Sequence, residues 1–176
     1  MAPADWTIDT SHSSIGFTTT HMVFAKVHGT FDRWQGTISV DENDPTNVRL
    51  DIHIEVASID THEQRRDAHL RSADFFDAEN HPEITFTSTG AERSGGNSFR
   101  LSGDLTVRGI THEVVLDAEY LGLGKDPWGK DRIAYTAETA LDRTQWGLVW
   151  NAPLEAGGFL VGDTIELEVD VQAVRA

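Results

Sequence analysis

The chain of 176 residues contains no cysteine, which excludes disulfide staples, thiolate nucleophiles and cysteine-bound metals without fixing a compartment. It is also poor in positive charge: 14 Lys and Arg stand against 29 Asp and Glu, for a formal net charge of −15. Such a balance repels phosphate backbones and anionic lipid surfaces, so nucleic acid is not an expected partner. The start, MAPADWTID, has neither a basic n-region nor an apolar h-region. No signal peptide or membrane anchor is visible there, and a cytoplasmic location without stable membrane insertion is expected, or a periplasmic or secreted one if a leader was removed. Internal repeats, low-complexity tracts and linkers are missing as well, which predicts one domain over residues 1–176.

What the sequence does contain is period-two alternation. Its clearest instance is Val48, Leu50, Ile52, Ile54 and Val56 with Arg49, Asp51, His53 and Glu55 between them, a strand with one dry face. Phe99 to Val107 and Ile165 to Val171 read the same way, and 13–21, 27–40, 84–90, 112–121 and 132–141 complete eight strands. A short piece at Trp6 to Asp9 is a possible ninth. Turn residues separate most of them, so antiparallel neighbours are expected. Within 27–40 the apolar set shifts from Val27, Gly29, Phe31 to Trp34, Gly36, Ile38, Val40. That offset predicts a β-bulge near Asp32 and Arg33, a bend that helps a sheet close into a barrel. Glycines Gly29 and Gly103 opposite bulky inner residues either leave room inside or relieve strain where strands coil.

One long segment, from about Ser58 to Pro82, is not strand-like. Asp60 or Thr61 is placed to cap a helix over 61–71, with Glu63 or Gln64 completing a capping box and Pro82 stopping it. His62, Arg66, His69 and Ala73 share one face of that helix, a polar face where a core-packing helix would be apolar. The fold class is therefore all-β: an eight-stranded antiparallel barrel with one helical segment, about 61–71, covering an end.

The stretches DTSHSSIGFTTTH (9–21), VHGTF (27–31), the run from Arg66, Asp67, His69 and Leu70 through Ser72, Phe75 and Phe76 to Pro82 and Phe86, GDLTVRGITHEV (103–114), RTQWG (143–147) and VGD (161–163) resemble the YceI-like family over nearly the whole chain. The resemblance implies a lipocalin-like barrel whose apolar tunnel holds a polyisoprenoid or related amphiphile. It implies a binding or carrier protein with no established catalysis, no cofactor and a small lipid as partner. His112 stands where the family commonly has lysine.

The expected ligand contacts are Ile15, Phe17, Phe31, Trp34, Ile38, Phe86 and Leu105 on the inner strand faces, Phe75 and Phe76 after the helix, and Trp146 in the long loop 143–162. His21 is a further expected contact, and Arg66, Asp67 and His69 form a polar collar at the mouth. For Arg66, Asp67 and His69 the alternative is a structural ion pair, with Asp67 accepting from Arg66, Arg65 or His12. Trp146, Trp150 and Phe159 form either an apolar flap or a plug. A second class of function, an enzyme acting on an isoprenoid or quinone, would use His12, His21 or His69 as acid and base or as metal ligands. No HExxH, no 2-His-1-carboxylate spacing and no GxSxG elbow supports it, so no metal and no catalytic residue is assigned. A filled barrel serving as an interaction surface is a third possibility. A homodimer is compatible with exposed strand edges. Burying about twenty ligand carbons at ~0.8 kcal/mol each gives roughly 16 kcal/mol gross, which association costs of ~4–15 kcal/mol reduce to a moderate net affinity.

Overall fold

The structure, a computed structural model, describes residues 3–155, 157–158 and 160–176; Phe159 lies outside them. The alternating segments form β1 (Ala4–Ile8), β2 (Ser14–His21), β3 (Ala25–Phe31), β4 (Trp34–Asp41), β5 (Asp44–Glu55) and β6 (Ile59–Asp60). After the helix α1 (Gln64–Arg71) come β7 (Glu83–Gly95), β8 (Ser98–Val107), β9 (Ile110–Lys125), β10 (Asp131–Asp142) and β11 (Thr164–Arg175). Pairing runs β1-β4-β5-β7-β8-β9-β10-β11, and β11 closes back onto β1. The eight-stranded closed antiparallel barrel is thus present, because each strand has one apolar face and closure leaves no edge in this ring.

Three rows of the wall are interrupted at about the same height. Strand β11 pairs with β1 at Ala173 to Arg175 and with β2 at Glu166 to Asp170, so β1 and β2 are one row broken by a 3-10 turn at Thr10–His12. Similarly β3 pairs with β2 while β4 pairs with β1. Residues 27–40 are therefore two strands separated at Asp32 and Arg33 rather than one bulged strand. The break does what a bulge would have done, since Gly29 and Phe31 before it and Ile38 and Val40 after it are all buried. In the upper tier the sheet ends at β6, and α1 with the turns up to Pro82 stands between β6 and β7.

The helix starts later than the capping pattern predicts. Glu63, not Asp60 or Thr61, is the N-cap, accepting from Arg65 N and Arg66 N. Thr61 is unavailable because it is buried, and its N–H and hydroxyl both donate to Asp67 Oδ1, at 2.9 and 2.5 Å. His62 precedes the helix with φ 62° and Ala73 follows it, so neither shares its face.

Outside the wall, Asp9 ties the β1/β2 break to β10. It accepts from Arg132 Nη1 at 2.8 Å and from the Ser11 hydroxyl at 2.6 Å, and it pairs with His12 Nδ1 at 3.0 Å. Arg132, followed by Ser11 and His12, holds the Asp9 carboxyl far below the usual carboxylate range. A depressed folded pKa contributes stability that is complete above the unfolded value of about 3.9 and is lost as pH falls through the folded value. In urea unfolding, the stability gap between wild type and Asp9→Asn is expected to be widest near neutral pH and to shrink steadily below about pH 4. A gap independent of pH would mean that Asp9 acts through hydrogen bonding alone.

Candidate functional site

The packed apolar core does not fill the barrel completely, and the space left is divided into two apolar voids. The upper void, about 150 Å³, is walled by Phe17, Phe31, Phe75, Phe76 and Trp146 among others. The lower one, about 90 Å³, is walled by Ile38, Phe86, Phe99 and Tyr135 among others. Each far exceeds the ~10–15 Å³ that one water needs, yet each is smaller than the ~300–1,000 Å³ of a typical ligand pocket. Ile15, Ile54, Leu105 and Leu167 border both voids. One residue each from β2, β5, β8 and β11 thus forms a waist between the two voids.

Two aromatic rings lie flat against bare backbone. Phe17 opposes Gly29 across β2 and β3, and a Cβ on Gly29 would sit 2.2 Å from the ring tip. A Cβ on Gly103 would sit 2.4 Å from the Phe86 ring and 2.8 Å from the carbonyl oxygen of Thr87. These glycines are where the rings are parked, which keeps them off the barrel axis. The two sites respond differently to a methyl group. Gly29→Ala meets only a movable ring end and is expected to fold with less than about 1 kcal/mol lost while swinging Phe17 into the upper void. Gly103→Ala also meets backbone and is expected to cost about 1–3 kcal/mol. Equal losses in chemical denaturation would argue against this parking arrangement.

Above the upper void opens a cleft of about 380 Å³ lined by Phe17, His21, Arg65, Arg66, His69 and Trp150 among others. Phe17, Thr19, Leu70, Phe75 and Val161 border both spaces. The helix places Arg66 and His69 here, and the turns after it bring Phe75 and Phe76 inward. Phe76 N–H bonds the carbonyl of Leu70 at 3.0 Å and Phe75 N–H that of Ser72 at 3.0 Å. Phe75 is buried and Phe76 half-buried. His69 packs edge-on to Trp150 (4.5 Å) and Phe75 (5.1 Å), while its Nε2 pairs with Asp74 at 2.8 Å. Arg66 donates from Nε to the Thr61 hydroxyl and from Nη2 to the Thr61 carbonyl, at 2.7 and 2.6 Å. The expected ion pair of Asp67 with Arg66, Arg65 or His12 does not form, since Asp67 serves Thr61.

Of the expected contacts, all but Trp34 line one of these three spaces. Trp34 faces inward by register, opposite Ile54, but it opens β4 at the break in the wall. There it is half-exposed and borders an outer groove with Arg33, His53, Glu55 and Glu83.

The histidines do not converge. His12 lies outside the barrel, where its Nδ1 meets both the Asp9 carboxylate and the Ser11 hydroxyl, at 3.0 and 3.1 Å. A charge-relay histidine contacts the acid and the serine through opposite ring nitrogens, so this is a capping network. Among the described residues no group of three or more His, Asp or Glu is placed to hold a metal ion. His112 packs edge-on to Trp146 at 5.3 Å and pairs through Nε2 with the Gln145 carbonyl at 2.9 Å. It therefore steadies the turn that carries Trp146, whose Nε1 donates to the Leu105 carbonyl at 3.0 Å.

The residue that sequence reasoning overlooked is Arg143. It is buried, and its guanidinium donates to the carbonyls of Gly162 (2.9 Å), Trp150 (3.2 Å), Val161 (3.4 Å) and Leu148. Burial lowers its pKa, against the opposing pull of Asp163 and Asp142. It thereby gathers the loop that includes Leu148, Trp150 and Val161 over the mouth. Beside it, the β2–β3 turn carries Met22 and Val23 at φ 53° and 70° and leaves Phe24 92% exposed, an apolar tip that no turn-forming residue announces.

A family model described as the YceI-like domain matches residues 6–173. A UPF0312 protein of Pseudomonas savastanoi pv. phaseolicola is 32% identical over 174 residues, covering 98% of this chain and 87% of its own. Among solved structures, Burkholderia cenocepacia BcnA superposes with a TM-score of 0.82 at 19% identity, covering 94% of this chain and 98% of that one. A polyisoprenoid binding domain from Saccharophagus degradans superposes with a TM-score of 0.68 at 13% identity over 99% of both chains.

Proposed function

This chain belongs to the YceI-like domain family, and from that premise we propose that it carries or sequesters one long-chain amphiphile. The tail would be a polyisoprenoid, an isoprenoid quinone tail or a fatty chain, held in the barrel with its head at the collar. The observation that carries this reading is the order of the three spaces: a cleft with polar side chains, then two predominantly apolar voids beneath it. An amphiphile has that order of chemistry along its length, whereas a water-soluble metabolite does not. The Saccharophagus degradans neighbour, named for polyisoprenoid binding, suits the same tail class.

The voids at rest, about 90 and 150 Å³, are smaller than a typical ligand pocket, so occupancy requires side chains to give way. Phe17 and Phe86 stay parked on their glycines while the waist side chains change rotamer. Binding strength then comes from the tail and orientation from the head. Native mass spectrometry of protein purified from cells is expected to show one bound amphiphile per chain. The delipidated protein is expected to regain it with quenching of tryptophan emission, Trp146 and Trp150 being at the site. A delipidated protein that takes up neither a prenyl nor a fatty chain would remove the proposal.

A further inference from the structure

The mouth carries positive charge that the protein itself leaves unpaired. Among the described residues, Arg33, Arg93, Arg100, Arg132, Arg143 and Arg175 each face a carboxylate. Arg49, Arg65, Arg66, Arg71 and Arg108 face none, and of these Arg65 and Arg66 line the cleft, in a chain where 29 acidic residues outnumber 14 basic ones. The acids of the helix and its flanks are committed elsewhere. Glu63 accepts from the backbone N–H groups of Arg65 and Arg66, at 3.3 and 2.6 Å. Asp67 is held by Thr61 and Asp74 by His69. Thr61 fixes the Arg66 guanidinium through Nε and Nη2, and no described residue accepts from its Nη1 or from the Arg65 guanidinium.

Resting on the proposal that a tail occupies the barrel, we infer that the head is an anion, a carboxylate or phosphate, received by Arg65 and Arg66. Guanidinium groups donate paired N–H bonds that match these oxyanions. The overall negative charge does not prevent this, because remote surface charges are screened beyond ~8–10 Å in physiological salt while the two arginines act at contact.

The test compares dodecyl phosphate, dodecan-1-ol and inorganic phosphate as ligands of the delipidated protein, with wild type and Arg65→Gln, at low and high salt. Arg65 is chosen because its side chain supports no other described residue. The expected result is that dodecyl phosphate binds wild type about tenfold more tightly than the alcohol. That advantage shrinks in high salt and in Arg65→Gln, while affinity for the alcohol stays the same. Equal affinities for phosphate and alcohol, unaffected by the substitution, would overturn the anionic head and leave the tail proposal standing. Failure of both dodecyl ligands would remove both. Inorganic phosphate binding as tightly as dodecyl phosphate would overturn the inference in favour of a free-anion site.

Discussion

Leu167→Trp is expected to shorten the longest chain the protein accepts and to weaken long-chain binding by about a hundredfold, leaving chains that end in the upper void nearly unaffected. Leu167 lies on β11 opposite Phe17 and is one of the four side chains bordering both voids. An indole there fills the waist. Each methylene excluded from the lower void forfeits up to ~0.8 kcal/mol, so losing several of them accounts for ~3 kcal/mol, about a hundredfold. The substitution adds bulk beside a void rather than in close-packed core, so the fold is expected to lose no more than about 1–3 kcal/mol. Isothermal titration with fatty acids of increasing length checks it. Unchanged affinity for long chains would place the tail outside the lower barrel.

Removing Arg143 should have the largest effect on stability. Arg143→Ala strips charge-assisted donors from the carbonyls of Gly162, Leu148, Trp150 and Val161 and leaves those oxygens buried or half-buried. At ~1.5–3 kcal/mol for each good bond to a charged group, a loss of about 3–5 kcal/mol is expected. For a chain of this length that lowers the melting temperature by roughly 10 °C. Arg143→Lys should recover only part of it, because a single ammonium does not reach carbonyls arranged around a planar fork. Hydrogen exchange should then show residues 148–155 losing protection before the barrel strands do. A melting temperature within a degree or two of wild type would mean that this loop is held by its apolar contacts alone.

Much of the barrel was legible because alternation is a direct readout of a wall with one wet and one dry side. The segments at 48–56 and 165–171 show it plainly, and they became β5 and β11. The shift in phase between Phe31 and Trp34 located the discontinuity at Asp32 and Arg33, but a bulge and a full break leave the same trace in the pattern. Period two gives the register of Trp34 correctly, and the break beside it opens the ring to the outer groove. Thr61 is an adequate helix cap by type, and only tertiary placement shows that Asp67 occupies it and moves the start to Glu63. Arg143 lies beyond any periodic signal, since its partners are carbonyls spread along an irregular loop. The class of tail came from the family resemblance, whereas the unpaired arginines of the mouth required the full set of ion pairs.

The most direct measurement of the central claim, that an apolar column inside the barrel holds an extended chain, is the affinity of the delipidated protein across a homologous series of fatty acids. Occupancy of the column predicts that affinity rises with each methylene, by at most about 0.8 kcal/mol or fourfold per carbon, and levels off once the lower void is full. Affinity that does not change from short chains to long ones would contradict it.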